Sequence, residues 1–306
     1  MAEGCTIIDT DPGIDDVVAL ALAARSPELT ISGVTTTYGT ATLDATTRNA
    51  RALLDLVGRH DVLVHPGAAQ PLERPLATAP EAHGSSGAGY AAVPPTSAVR
   101  PNPTVLVDIL QEADRPVTLI TLGPLTNLAH ALLQDSHIVR RRLARHIGVF
   151  GSIDERSAAN RWADFNAWCD PEAAACVLDA ALPTVMVPLD VTRRMVLSAS
   201  EVARFVASRD PLVAWLGKAL EFYVESFRSR YGVDGCAVND VLPIGELLVP
   251  GLLTLAEHRI GIDLVGGEHR GRTRRHPRGR GTVVAVAADI LRMRQLLRRV
   301  FGDALE

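Results

Sequence analysis

What this chain lacks narrows its possible roles. No run of residues has the length and apolar purity of a membrane span. The opening residues Met1-Ala2-Glu3-Gly4 carry neither the basic nor the apolar segment of a secretory signal. Together these lead to the expectation of a cytoplasmic protein with no membrane partner. Cysteine is sparse. Cys5, Cys169, Cys176 and Cys236 are scattered, and the one close pair has neither CxxC nor zinc-ligand spacing. Reduced, mostly buried thiols are expected. Positive charge is not in excess: the net charge is -4 and the isoelectric point about 6.1, so no global basic field points to nucleic acid. There is no internal repeat and no low-complexity linker, which favours a single domain over residues 1–306.

What is present is concentrated near the N-terminus. The apolar run Cys5-Thr6-Ile7-Ile8 leads into Asp9-Thr10-Asp11-Pro12-Gly13-Ile14-Asp15-Asp16, and good helix formers follow from Val17 to Ala23. The pattern predicts a strand, a tight turn at Pro12-Gly13 and a helix starting near Asp15. Four carboxylates fall within eight positions. Helix capping accounts for one or two of them. The rest repel one another unless a cation or hydrogen-bond donors offset the charge, so the stretch is a candidate metal or catalytic site.

Strands and helices then alternate, which predicts an α/β fold built on a mostly parallel sheet. Strands are expected over 29–37, 61–65, 117–122, 147–151, 184–189, part of 252–265 and 282–287. Helices are expected over 43–57, 104–113, 125–133, 171–179, 199–208, 211–227, 241–248 and 289–301. Residues 66–103 break the alternation, and within them His83 to Tyr90 is a candidate mobile flap. The basic run Arg270 to Arg280 contains no aromatics and is expected to be a solvated loop between strands. His65, His130, His137 and His146 fall at element ends and read as surface or satisfied polar residues.

In open α/β sheets, ligands bind beyond the carboxyl ends of the strands. The polar clusters after the expected strands are Asp9 to Asp16, Tyr38 to Thr40, Leu122 to Asn127, Asp154 to Asn166, and Asp190, with Asn239-Asp240 before a helix. Such oxygen-rich donors suit a hard cation, and Ca²⁺ tolerates irregular geometry better than Mg²⁺ does.

Asp9 to Asp16 resembles the N-terminal signature of the inosine-uridine-preferring nucleoside hydrolase family. Thr47-Arg48-Asn49-Ala50, Gly123-Pro124-Leu125-Thr126-Asn127, and Asp164-Phe165-Asn166 with Asp170-Pro171-Glu172-Ala173-Ala174 resemble further family blocks in the same order. The resemblance spans essentially the whole chain. It implies one large domain with a Rossmann-like central sheet flanked by helices, and hydrolysis of the N-glycosidic bond of ribonucleosides to ribose and free base. It implies Ca²⁺ held by Asp11, Asp16, Asp240 and the carbonyl of Leu122. Asp11 would also be general base toward the attacking water, and Asp9 would support the site. Asp15 and Asn166 would bind the ribose hydroxyls, Asp164 stands at a sugar-binding Glu, and His83 matches a loop histidine. A homodimer or homotetramer is also implied.

The chain departs from the family pattern in four places. Thr40 replaces an Asn after the second strand, and Asp164 is shorter than the family's Glu. A 5′-hydroxyl-binding Asn falls at Ala158, with Asn160 as the substitute. Asn239 replaces the histidine that commonly protonates the departing base, and an amide is no acid near neutral pH. Tyr223, Phe227 and Tyr231 recur every four residues and share a helical face. By periodicity they are a core stripe; in the family context they become candidates for base stacking, and Tyr223 and Tyr231 for proton donation. Arg228 and Arg230 are the alternatives, stabilising an anionic leaving group. Trp162 and Trp168 are candidate pocket residues. Preference for pyrimidine or other less acid-dependent nucleosides follows as an expectation. Two other functions fit the same residues: hydrolysis of a modified-base or nicotinamide riboside, and a Ca²⁺-dependent nucleoside- or ribose-binding homologue with little turnover.

Overall fold

The computed structural model describes residues 5–95, 99–153 and 162–305. The first half of the chain winds through β1 (Cys5–Thr10), α1 (Ile14–Ala24), β2 (Ile31–Thr36), α2 (Leu43–Val57), β3 (Val64–Pro66), α3 (Pro80–His83), α4 (Val105–Glu112), β4 (Val117–Thr121), α5 (Thr126–Arg142) and β5 (Leu143–Val149). The second half adds α6 (Phe165–Cys169), α7 (Pro171–Asp179), β6 (Thr184–Val187), α8 (Leu189–Thr192), β7 (Val196–Ser198), α9 (Ala199–Val206), α10 (Pro211–Tyr231), β8 (Gly235–Ala237), α11 (Val241–Leu248), β9 (Leu253–Ile262), β10 (Thr273–Arg275), β11 (Arg280–Ala288) and α12 (Ile290–Phe301).

Nine strands form one sheet in the order β10-β9-β11-β6-β5-β4-β1-β2-β3. From β3 to β11 every pair is parallel; β9 joins β11 antiparallel, and β10 joins β9 antiparallel. The expected mostly parallel α/β sheet is therefore present, in a single domain. Successive strand residues point to opposite faces. Ile7 and Leu119 enter one buried core, and Ile8 and Ile120 enter the other. Helix α1 is buried along its whole length, packed among α2, α10 and α11. This explains why its sequence is apolar nearly all round.

Several expectations are revised. Helix α5 runs on to Arg142 through a non-helical Asp135 (φ -150°, ψ 79°). Helix α10 reaches Tyr231, where Gly232 ends it in the left-handed region. The basic run is not a plain solvated loop, because Thr273–Arg275 is strand β10 and Arg280 opens β11. Nor is the His83–Tyr90 segment a free flap. Asn49 Nδ2 donates to the Ser86 carbonyl (2.9 Å), Tyr90 donates to Glu225 (2.6 Å), and the Tyr90 ring meets Phe222 edge-on.

The strand order 3-2-1-4-5-6 reverses direction between β1 and β4. Such a switch point opens a crevice at the carboxyl ends of the two strands. The acidic turn follows β1, and Leu122 follows β4. The topology thus sets the carboxylates where a ligand can enter.

Candidate active site

A cleft of about 250 Å³ opens at this switch point. Its floor carries Asp11, Asp15, Asp16 and Asp240, with Leu122 and Asn166 beside them. Asp15, Asp16 and Asp240 each offer an oxygen within 4.8 Å of the others. Asp11 stands against this trio, and its Oδ2 accepts the Thr40 N–H at 2.6 Å. The Thr40 hydroxyl donates to the Asp11 carbonyl. A Cβ at Gly39 or Gly123 would collide with the Asp11 carboxylate, so both positions need glycine. Asp16 accepts from the Thr10 hydroxyl (2.5 Å) and from the Gly13 N–H (3.1 Å).

Electrostatics make this floor a candidate cation site. Burial, then the Asp16 and Asp15 charges, hold Asp11 well above the usual carboxylate range. Burial and Asp15 push Asp16 up to about 6. Burial and the three neighbouring aspartates raise Asp240 strongly. Carboxylates crowded away from water must be protonated or share a cation. The donors here are all hard oxygens, so the set fits Ca²⁺ or a similar ion and not a soft metal. The carboxylates grouped closely enough to share an ion are Asp15, Asp16 and Asp240; the expected set of Asp11, Asp16, Asp240 and the Leu122 carbonyl shares two of them, with Asp11 and Leu122 lining the same cleft.

Around the floor, most of the expected residues have a specific neighbour. Asp15 Oδ2 accepts from Asn239 Nδ2 at 2.9 Å and faces the Tyr223 hydroxyl at 3.4 Å. Asn239 Oδ1 is buried without a hydrogen-bond partner among the described residues. Asn166 Nδ2 donates to the Leu122 carbonyl (2.6 Å) and the Val149 carbonyl (2.8 Å), so its Oδ1 is the end left for a ligand. Asp164 lines the cleft, but its first task is capping. It accepts from the N–H groups of Gly151 (2.6 Å), Asn166 (2.9 Å) and Ala167 (3.2 Å), and burial still lifts it to about 6. His83 Nδ1 accepts the Ile14 N–H at 3.1 Å. That contact fixes a neutral ring with its proton on Nε2, and burial lowers its pKa further.

The outer wall is aromatic and basic. Tyr223, Phe227 and Tyr231 all line the cleft. Phe227 packs edge-on against Tyr223 (centroids 4.9 Å apart) and at a tilt against Tyr231 (5.1 Å). The periodic stripe is therefore a pocket wall as well as a packing face. Burial and Asp15 raise Tyr223 well above the ordinary phenol range, which makes it a poorer acid. Arg193 lies over the Tyr231 ring, 5.2 Å from its centroid. Arg230 lines the cleft, whereas Arg228 is turned to Asp234 at 2.5 Å and does not. Trp168 lines the cleft, with the Arg270 guanidinium over it at 4.9 Å; Trp162 stands outside it under Arg272 at 4.5 Å. Asn160 and Ala158 fall outside the described residues.

The family profile described as inosine-uridine preferring nucleoside hydrolase matches residues 6–295. The chain belongs to this family. A nucleoside hydrolase is an enzyme, and the curated relatives bear that name. The pyrimidine-specific ribonucleoside hydrolase RihA of Enterobacter sp. (strain 638) is 38% identical over 275 residues, 87% of this chain and 86% of the relative. RihA of Citrobacter koseri is 36% identical over 276 residues, with the same shares covered. Among solved structures, the plant nucleoside hydrolase PpNRh1 superposes with a TM-score of 0.89 at 27% identity, over 98% of this chain and 99% of that one. The purine-preferring ribonucleoside hydrolase from Gardnerella vaginalis gives 0.88 at 25% identity, with the same coverage.

Within this nucleoside hydrolase the signature blocks divide into site and scaffold. Asn49 ties the acidic turn to the His83 loop, through Pro12 (2.8 Å) and Ser86. Asn127 donates to Asp9 (2.7 Å) and accepts from Ala68 N–H (2.8 Å). Asp170 caps α7 and accepts from Thr126 (2.8 Å) and the Leu72 N–H (2.9 Å). Asp9 lies beneath the cleft and also accepts from Thr35 (2.5 Å); burial raises it to about 7. Arg193, Glu81, Ser226 and Phe165 also line the cleft. Sequence reasoning missed Glu81, Arg193 and Ser226 because they come from three distant segments outside the signature blocks, and Phe165 because only its polar neighbours in the Asp164-Phe165-Asn166 block offer ligand groups.

Proposed function

We propose that this enzyme hydrolyses the N-glycosidic bond of ribonucleosides, with pyrimidine nucleosides preferred and Ca²⁺ as cofactor. The observation that carries the reading is the convergence of Asp11, Asp15, Asp16, Asp240 and Asn166 at the β1/β4 switch point. The names of the relatives support the substrate class, and the RihA relatives support the pyrimidine preference. Asp15, with Asn166 Oδ1, receives the ribose hydroxyls and orients the sugar. Asp11 takes a proton from the attacking water. Its Oδ2 is held by Thr40, which leaves Oδ1 for that contact. Ca²⁺ bound by Asp11, Asp16, Asp240 and the Leu122 carbonyl would lower the pKa of the water and fix its position. The ionised carboxylates stabilise the positive charge that builds on the sugar as the bond to the base lengthens. Phe227 and Tyr231 supply the face against which the base lies.

A reducing-sugar assay on uridine, cytidine and inosine tests this. Release of ribose with a pyrimidine preference is expected. Thermal stabilisation by ribosides without any sugar release would indicate a binding protein instead.

A further inference from the structure

The cleft separates charge. Its floor is lined by aspartates, and its outer wall carries two guanidiniums, Arg193 and Arg230. Arg230 comes from the last turn of α10. Its ion pair with Glu81 is long, 3.8 Å, and its charge reaches the site, where it helps keep His83 unprotonated. Arg193 stacks on Tyr231 and brings Nη2 to 3.4 Å from the Tyr231 hydroxyl.

The groups nearest the floor are poor acids toward a departing base. Asn239 is an amide, and its Nδ2 is spent on Asp15. The Tyr223 hydroxyl faces that same carboxylate oxygen. His83 accepts a backbone N–H on Nδ1, so it is neutral and can offer a hydrogen bond but no acid. As an N-ribosidic bond breaks, positive charge develops on the sugar and negative charge on the base. A cleft with carboxylates at one end and guanidiniums at the other is complementary to that pair of charges.

We propose that the base leaves as an anion stabilised by Arg230 and Arg193, and that the site accordingly serves ribosides whose base forms a delocalised anion, such as uracil-type imides. This rests on the hydrolase reading given above. The C1′–N bond breaks with its electron pair going to the base, where the charge spreads onto the ring carbonyl oxygens. The water oxygen bonds to C1′. One water proton passes to Asp11 and on to solvent, and the released base anion takes a proton from solvent. The sum is riboside plus water giving ribose plus neutral base, with no change of oxidation state.

The test is a leaving-group series at fixed ribose: 4-nitrophenyl riboside, 5-fluorouridine, uridine and cytidine. It is run on the wild type, Arg230→Gln, Arg230→Lys, Arg193→Gln and Tyr231→Phe. Wild-type kcat is expected to fall in the order 5-fluorouridine, uridine, cytidine. Arg230→Gln is expected to lower uridine kcat by about 100-fold, with Lys restoring part of it. The nitrophenyl riboside, whose leaving group needs little help, is expected to lose less than about 10-fold, which also shows that the variant is folded. Arg193→Gln is expected to lower uridine kcat less than Arg230→Gln does. Unchanged uridine turnover in both arginine variants overturns the proposal. So do equal losses on all four compounds, cytidine outrunning 5-fluorouridine, or a Tyr231→Phe variant that alone loses uridine turnover, which would make Tyr231 the acid. No ribose from any compound with the wild type overturns the hydrolase reading itself.

Discussion

At the scale of single residues, Asp15 shows how a substitution relative to the family is absorbed. Asn239 removes a titratable ring but keeps a donor, and that donor sits 2.9 Å from Asp15 Oδ2. The amide holds the carboxylate that is proposed to bind ribose. An Asn239→Leu variant is expected to raise KM for uridine about 10-fold, since a hydrogen bond to a charged group contributes roughly 1.5–3 kcal/mol. Steady-state kinetics on uridine check it. Asp11→Asn is expected to lower kcat by about 10²–10³-fold while leaving the melting temperature equal or higher, because it removes a buried charge from a repelling cluster. Full activity in that variant would remove Asp11 from the role of base. The acidic turn was readable because its chemistry is local: four aspartates in eight positions. Asp240 and Asn166 were readable only through resemblance, since nothing local to them announces a partner far away in the chain. Arg193 carried no signal at all.

At the scale of elements, long periodic segments were readable and short ones were not. Helices α1, α2 and α11 fall within a residue of where apolar spacing and turn residues put them. Helix α6 and strands β7 and β8 have three to five residues each. They exist because of tertiary contacts, which no local window contains: Asp164 caps α6, and β7 pairs with β8. Two measurements belong here. Gly217 lets α10 lie against α9, because a Cβ there would strike the backbone of Phe205 and Val206. Gly217→Ala is therefore expected to destabilise the fold by about 1–3 kcal/mol, read as a lowered urea midpoint. On β5, His146 is fully buried between Thr121 (2.9 Å) and Thr184 (3.0 Å), and burial lowers its pKa to about 3 from an ordinary 6.5. The unfolded chain binds the extra proton between those values. The stability that His146 contributes is thus complete above about pH 6.5 and is lost as pH falls toward 3. His146→Gln is expected to shallow the acid slope of unfolding free energy by up to about 1.4 kcal/mol per pH unit. Equal slopes in the two proteins would show that the ring titrates normally.

At the scale of the whole molecule, the sheet order explains the position of the site. The chain crosses from β3 back through β1 and then out to β4, and the crevice between β1 and β4 receives carboxylates from one strand end and a carbonyl from the other. The α/β alternation was visible in sequence. The antiparallel edge of β9, β10 and β11 was not, because its strands read the same whichever way they pair. The basic run ends up across that edge, with Arg270 and Arg272 over tryptophans beside the cleft. Crowded carboxylates on the cleft floor are expected to make the fold itself sensitive to cations. Calcium is expected to raise the melting temperature in a concentration-dependent way, with about 2.7 kcal/mol gained at a hundredfold excess over Kd. The most direct measurement of the account is the release of ribose and uracil from uridine by the wild-type enzyme, before and after chelation with EGTA. Equimolar ribose and uracil, lost on chelation and restored by added Ca²⁺, is the expected result; no release in the presence of Ca²⁺, or full release in the chelator, would contradict it.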